Sequence, residues 1–314
     1  MFNKYKIFVF ALLFGLSASF IYNFDNKEHD YLENVQVKEP YYAKNFPGDT
    51  QMENSGPINK VPWKNDQAFL KKQQQYRTFV QIAAFRTVLE ESTPGEKNNF
   101  HLAAKLLQGT VVEPGEIFSQ NETLGPYTYE KGFQDGIMYI GSQLVPTAGG
   151  GVCKLATTLY NTAILAGLPV VERHPHGMPV VYVPLGQDAT VSFGAKDLKF
   201  KNNTDSPILI WAQGIDNHLY AGFYGTVEPA RIEWHHKVIK EIETYTIYRY
   251  NKELAQGFEQ VINNGMNGAV VKSWINIYQN DGAESTRELG LSYYKPMPRI
   301  IEKGPDNIPV NREE

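Results

Sequence analysis

The chain has 314 residues, 42% of them hydrophobic and 20% charged, with a formal net charge of −4. That length suggests about two folded domains, and 19 Tyr with 17 Phe supply a core and argue against wholesale disorder. No basic stripe is present, so nucleic acid is not an expected partner. One cysteine excludes an intramolecular disulfide, which leaves the core to hold the fold.

In chain order, Lys4 and Lys6 precede an apolar run over residues 7–24, and Asp25, Glu28 and Asp30 follow it. Positive before and negative after places the bulk of the chain outside the cytoplasmic membrane. Ser17-Ala18-Ser19 has the small residues of a signal cleavage site, but the apolar run continues through Phe20, Ile21 and Tyr22. Residues 1–25 are therefore read as a membrane anchor in preference to a cleaved signal. Residues 26–66 are polar and aperiodic and read as a linker. A polar helix over 67–75 and a strand over 76–89 follow. Pro94-Gly95 reads as a turn, with Asn98 or Asn99 capping a short helix that carries Leu102, Ala103, Leu106 and Leu107. Residues 118–136 read as loop and 137–145 as an apolar segment. A helix then runs from the Cys153 region to about Ala166 and stops at Gly167-Leu168-Pro169. The chain then becomes strand-like: Val170-Val171 leads into the histidine pair, and strands are expected at 180–183, 189–193, 208–211 and 219–224. Beyond about residue 229, alternating strands separated by Asn-Gly and Asn-Asp-Gly turns read as a small, separate β module reaching residue 305, with 306–314 as a tail. The expected fold class is α+β: a domain over 67–228 with a Cys at a helix N-terminus packed on a β-sheet, then the all-β module over 229–305.

The chemistry concentrates on the lone thiol. Gly149-Gly150-Gly151-Val152-Cys153 runs into a helical pattern, so Cys153 falls at a helix start, where free N–H groups and the dipole favour the thiolate. If residues 170–176 are extended, Glu172, His174 and His176 point to one face, and both imidazoles are candidate bases. Gly177 after His176 lets the chain turn its ring over the helix start, which favours His176 over His174, stiffened by Pro175. Asp188 is a candidate third member, with a turn former as its bland reading. The backbone N–H groups of Cys153, Gly150 and Gly151 are candidate oxyanion donors. Arg173 is read either as a clamp for a substrate carboxylate or as a structural ion pair. Cys153 packing as a small hydrophobe is the bland alternative. Cys153, His174 and His176 are also an acceptable zinc set, but no further local ligand is obvious, and neither a metal nor a cofactor is expected. His235-His236 reads as a surface pair. Asn121-Glu122-Thr123 and Asn202-Asn203-Thr204 match the glycosylation triplet, a weak pattern.

Pro114-Gly115-Glu116-Ile117-Phe118-Ser119, Leu124-Gly125-Pro126, Gly132-Phe133, the run 149–161, Glu172-Arg173-His174-Pro175-His176, Tyr182-Val183-Pro184 and Asp188-Ala189-Thr190-Val191 together closely resemble the VanW-like family, over roughly residues 77–215. The resemblance implies a bacterial envelope protein. It further implies, as for some members, a cysteine L,D-transpeptidase that attacks the bond before a stem peptide's terminal D-alanine and passes the acyl group to an amine on a neighbouring stem. It carries Cys153, His174, His176, Arg173 and Asp188 onto matching motif positions. The chain departs from the pattern at Lys154, where Gln is usual, and at Ala156-Thr157-Thr158, where Ser-Thr-Thr is usual. Lys154 and Thr157 thereby join Arg173, Gly150 and Gly151 as candidate substrate contacts. The tail resembles the glycine-rich β domain of wall-associated proteins, which implies wall-sugar binding. The expected function is thus a thiol-dependent, peptidoglycan-modifying L,D-transpeptidase with stem peptides as partners. The alternative is a non-catalytic peptidoglycan-binding or glycopeptide-resistance accessory protein.

Overall fold

The computed structural model describes residues 54–90, 92–140 and 143–305. The expected membrane segment over 1–25, most of the expected linker and the tail lie outside these residues. Among the described residues no helix is long and apolar enough to cross a membrane.

A five-stranded antiparallel sheet organises the first part. It runs in the order β1 (Gly56–Pro57), β2 (Val80–Val88), β10 (His218–Gly225), β9 (Ile208–Ile215), β3 (Thr110–Val112). Side chains of a strand alternate between faces, and β9 uses both. Ile208, Ile210 and Ala212 enter the main core, whereas Leu209 and Trp211 enter a second cluster with Trp63, Phe69 and Tyr224. The second cluster is covered by α1 (Gln67–Tyr76), capped by Asp66, whose carboxylate accepts from the Ala68 and Phe69 amides. Residues 54–66 are therefore part of the fold and not linker: β1 pairs with β2, and Trp63 is buried because its indole N–H donates to the Tyr224 hydroxyl.

The main-core face carries α2 (Pro94–Leu107) and α4 (Val152–Leu165). In the sequence alone Pro94-Gly95 reads as a turn. The helix instead begins there, because Thr93 and Glu96 form a reciprocal capping box and Pro94 occupies the first turn, where its missing N–H costs nothing. Between the two helices lie β4 (Ile117–Ser119), the short α3 (Gln120–Leu124) and a hairpin of β5 (Asp135–Ile140) with β6 (Gln143–Ala148). After α4, β7 (Val170–Glu172) and β8 (Lys199–Lys201) complete a small sheet with β4. The expected strands at 180–183 and 189–193 do not form. That stretch is irregular, with a single bridge from Ser192 to Lys196, because its backbone groups bond to distant partners, as Thr190 N–H does to the His174 carbonyl.

The all-β module follows after a short connection. One sheet orders β11 (Arg231–Ile242), β14 (Gly268–Tyr278) and β15 (Glu284–Tyr294); the other orders β12 (Thr246–Tyr250), β16 (Arg299–Lys303) and β13 (Glu259–Asn263). The first sheet is not separate from the α+β part. Ile275 and Ile277 belong to the main core, Ile232, Trp234 and Leu289 pack against it, and the Trp234 ring meets Tyr160 of α4 edge-on at 5.4 Å.

Candidate active site

α4 is buried on almost every side, so its polar residues must be satisfied internally. Thr158 donates to the Lys154 carbonyl and meets Thr87 at 2.8 Å; Asn161 donates to the Thr157 and Gln187 carbonyls. The helix starts where three backbones converge. A Cβ on Gly150 would lie 2.2 Å from the Gly136 carbonyl oxygen, and Gly151 caps the helix at φ +100°. The glycine run is thus explained by close approach of β5 to the helix start. Asn99 of α2 fastens the junction by donating to the Gly150 carbonyl at 2.8 Å.

Cys153 stands half-buried in the first turn of α4. The Val152 and Lys154 amides are taken by the Gly149 and Gly151 carbonyls, whereas the Cys153 N–H has no acceptor among the described residues. Thr190 Oγ1 lies 3.2 Å from Sγ, and the Val191 N–H donates to Sγ at 3.4 Å. Burial pushes the thiol up, but a hydrogen bond from His176, the charge on that ring, and the Thr190 and Val191 contacts outweigh it and hold the thiol below its ordinary value.

His176 is fixed twice by Asp188. Its backbone N–H and its Nδ1 both reach Asp188 Oδ2 at 2.7 Å, which leaves Nε2 as the ring nitrogen for the thiol. Burial disfavours the imidazolium, but the bonds and charges of Asp188 and Cys153 push His176 up to about 9. Asp188 is 1% exposed. Its Oδ1 accepts from Arg173 Nη2 at 3.0 Å and from the Tyr294 hydroxyl at 2.5 Å. Burial raises its carboxyl, but His176, Arg173 and Tyr294 hold it below the usual range. Cys153, His176 and Asp188 therefore lie together in the order thiol, imidazole, carboxylate, an order that thiol acyl transfer can use.

Other residues selected from the sequence stand elsewhere. The chain leaves the strand at Glu172, so the common face assumed for 170–176 breaks. His174 turns to Glu172 Oε1 at 3.0 Å, beside Lys199, away from the Asp188 hydrogen bonds that hold His176. Arg173 is not a substrate clamp: Nε and Nη2 serve Asp188, Nη1 donates to Ser292 Oγ at 2.6 Å, and the guanidinium lies over the Tyr160 ring. Lys154 does not face the thiol but ties Ser92 and Glu96 at 2.7 and 2.8 Å. Thr157 is fully buried and clips the Ala189 backbone through both its N–H and its carbonyl. The Gly150 carbonyl is bonded and its backbone packs on Gly136. The zinc set is not assembled, since His174 is drawn off, and among the described residues no group of three or more His, Cys, Asp or Glu is disposed to hold a metal. Of the histidine pair in the tail, His236 is not on the surface: it bonds Gln187 at 3.0 Å and Ser273 at 2.9 Å, and burial, then the Arg173 and His235 charges, push it down to about 4. Asn121 and Asn202 are buried and hydrogen-bonded, so neither triplet presents a glycosylation acceptor. Thr190 lay inside a motif but had no assigned role, and Tyr294 gave no local signal in the sequence.

Fold and site define an α+β domain with a Cys–His–Asp constellation at the start of a buried helix, joined to an all-β module. Residues 95–224 match the family described as VanW like protein, and residues 235–306 match the G5 domain. It is 36% identical over 146 residues to "Uncharacterized protein YoaR" of Bacillus subtilis (strain 168), covering 46% of this chain and 48% of that protein. It is 29% identical over 136 residues to "Vancomycin B-type resistance protein VanW" of Enterococcus faecalis (strain ATCC 700802 / V583), covering 42% and 50%. The chain thus spans about half the length of these curated relatives. A solved structure titled "IgA1 Protease G5 domain structure" aligns to 26% of this chain and 96% of its own at 25% identity, with a TM-score of 0.17.

Proposed function

We propose that the chain is a peptidoglycan-modifying protein of the bacterial envelope in which Cys153 carries out thiol-dependent acyl transfer of the L,D-transpeptidase type on stem peptides. The observation that supports this reading is the grouping of Cys153 with the hydrogen-bonded His176–Asp188 pair, with Asp188 sealed from solvent. The Cys153 thiolate attacks the carbonyl carbon before the terminal D-alanine, and the Cys153 N–H is placed to receive the developing oxyanion. As the C–N bond breaks, the imidazolium of His176 gives its proton to the departing amine, leaving a thioester. The side-chain amine of a second stem then attacks the thioester and loses a proton to His176, and the Cys153 thiolate departs as the new amide forms, which restores the thiolate–imidazolium pair. Water in place of the amine yields hydrolysis. The test incubates the purified full-length chain with disaccharide-tetrapeptides and reads acyl-enzyme and cross-linked dimer by mass spectrometry. Both species are expected and both vanish in Cys153→Ser; full cross-linking by that variant overturns the thiol mechanism.

A second reading, a non-catalytic stem-peptide-binding or glycopeptide-resistance accessory protein, is favoured by one observation. Arg173 and Lys154, the two cations among the candidate substrate contacts, are both tied inside the fold and leave no free cation from that pair for a substrate carboxylate. Binding of stem peptides without acyl-enzyme, and a thiol titrating as an ordinary one, select it.

A further inference from the structure

The carboxylate that orients His176 is held from two directions. Each oxygen of Asp188 accepts two hydrogen bonds: Oδ2 from the backbone and ring of His176, and Oδ1 from Arg173 and Tyr294. Three of these donors belong to the VanW-family domain. The fourth, Tyr294, is the last residue of β15, in the all-β module, more than one hundred residues further along the chain. The same strand supplies Ser292, which accepts from Arg173 Nη1 at 2.6 Å and so holds the other donor to Oδ1. Tyr294 is itself over-determined. It is fully buried, its phenol is pushed up by burial and by the Asp188 charge so that it stays a proton donor, and its oxygen accepts from the Gly186 N–H at 2.8 Å. β15 thus grips both the loop that carries Asp188 and the carboxylate itself.

We infer that the all-β module completes the Cys–His–Asp site, with Tyr294 and, through Arg173, Ser292 acting as positioning residues that lock the Asp188 carboxylate onto His176. This inference rests on the thiol reading of the site. Four donors fill the acceptor directions of an ionised carboxylate, which fixes its rotation as well as its charge. Without the Tyr294 hydroxyl, Oδ1 keeps one donor, the carboxylate gains freedom about its last torsion, and its bond to His176 Nδ1 loosens. The imidazolium is then less favoured and the thiolate loses its partner.

The test measures the pH dependence of Cys153 alkylation by iodoacetamide in the full-length chain, alongside thermal stability. Tyr294→Phe, which keeps the ring volume, is expected to move the lower limb of the profile upward by about half to one pH unit. The alkylation rate at pH 6 then falls about three- to tenfold, tenfold being one unit. Ser292→Ala is expected to move it in the same direction by less. Arg287→Ala is the control: Arg287 also lies on β15 and ties it to the VanW-family domain through the Gly167 and Leu168 carbonyls, with no contact to Asp188. It is expected to lower stability and leave the profile in place. If Tyr294→Phe and Ser292→Ala superimpose on a depressed wild-type profile, the positioning role is overturned while the thiol reading stands. If Arg287→Ala shifts the profile as far as Tyr294→Phe, the effect is general loosening and the role is likewise overturned. An ordinary wild-type thiol removes both.

Discussion

The two histidines of the Glu172-Arg173-His174-Pro175-His176 run differ in what faces them, and that difference sets their expected chemistry. His176 meets the thiol and a sealed carboxylate, whereas His174 meets Glu172 at the rim. The thiol lies below its ordinary value and His176 is raised to about 9. The thiolate–imidazolium pair therefore exists between these two limits: it is lost at low pH as the thiolate takes a proton, and at high pH as His176 loses one through about 9. His176→Ala is expected to return the lower limb of the alkylation profile toward the ordinary thiol pKa of about 8.5 and to slow turnover by about 10²–10⁴. His174→Ala is expected to stay within about threefold of wild type in the same assays. The reverse order in paired rate measurements assigns the base role to His174. Glu172-x-His174-x-His176 was legible as a candidate base run, but the break of the strand at Glu172 was not, because it depends on where β8 stops pairing with β7.

At the scale of elements, the start of α4 is the most constrained point of the molecule. Gly136 and Gly150 pass so closely that each excludes a side chain on the other, and Asn99 bonds across them. A methyl at Gly150 forces either β5 or the helix start outward, and overpacking of this kind costs about 1–3 kcal/mol or more. Gly150→Ala is thus expected to lower the urea midpoint and, by displacing the helix start, to weaken thiol reactivity as well. A variant with wild-type stability and reactivity contradicts the close-approach account. The three glycines were visible in the sequence as a helix entry. Their partner strand was not, since nothing near residue 150 indicates which backbone lies against it. The capping box at Thr93 shows the opposite case: its residues are local and complete, Thr93 and Glu96 three apart, and Pro94 suits a first helical turn, although Pro94-Gly95 taken alone reads as a turn.

For the molecule as a whole, the all-β module and the α+β part share one core. Ile275 and Ile277 lie in the cluster that contains α4, Trp234 covers Tyr160, and Tyr294, Ser292, His236 and Arg287 add polar ties. Fully burying a large apolar side chain is worth about 1.5–3 kcal/mol, so removing the buried Ile275 and Ile277 together costs about 3–6 kcal/mol, comparable with the total stability of many domains. Calorimetry of the full chain is expected to show a single cooperative transition for these parts, and a chain ending before β11 is expected not to fold to a native state. Two resolved transitions, or a soluble and cooperatively folded truncated domain, overturn the shared-core account.

The α+β class, the helix start that presents Cys153, the β9–β10 pairing and the β character of residues beyond 229 were legible in the sequence alone. These depend on glycine conformation, period-two and period-3.6 patterning and turn chemistry, all of which act within a few residues. Tertiary structure decided which histidine meets the thiol, that Arg173, Lys154 and Thr157 serve the fold, and that Trp63 and β1 belong to it. It also brought Tyr294 to Asp188. Those outcomes depend on where buried donors and charges find partners. A carboxylate sealed from water must be satisfied by whatever the packing brings to it, and in this chain part of that comes from a strand no local pattern connects to the site.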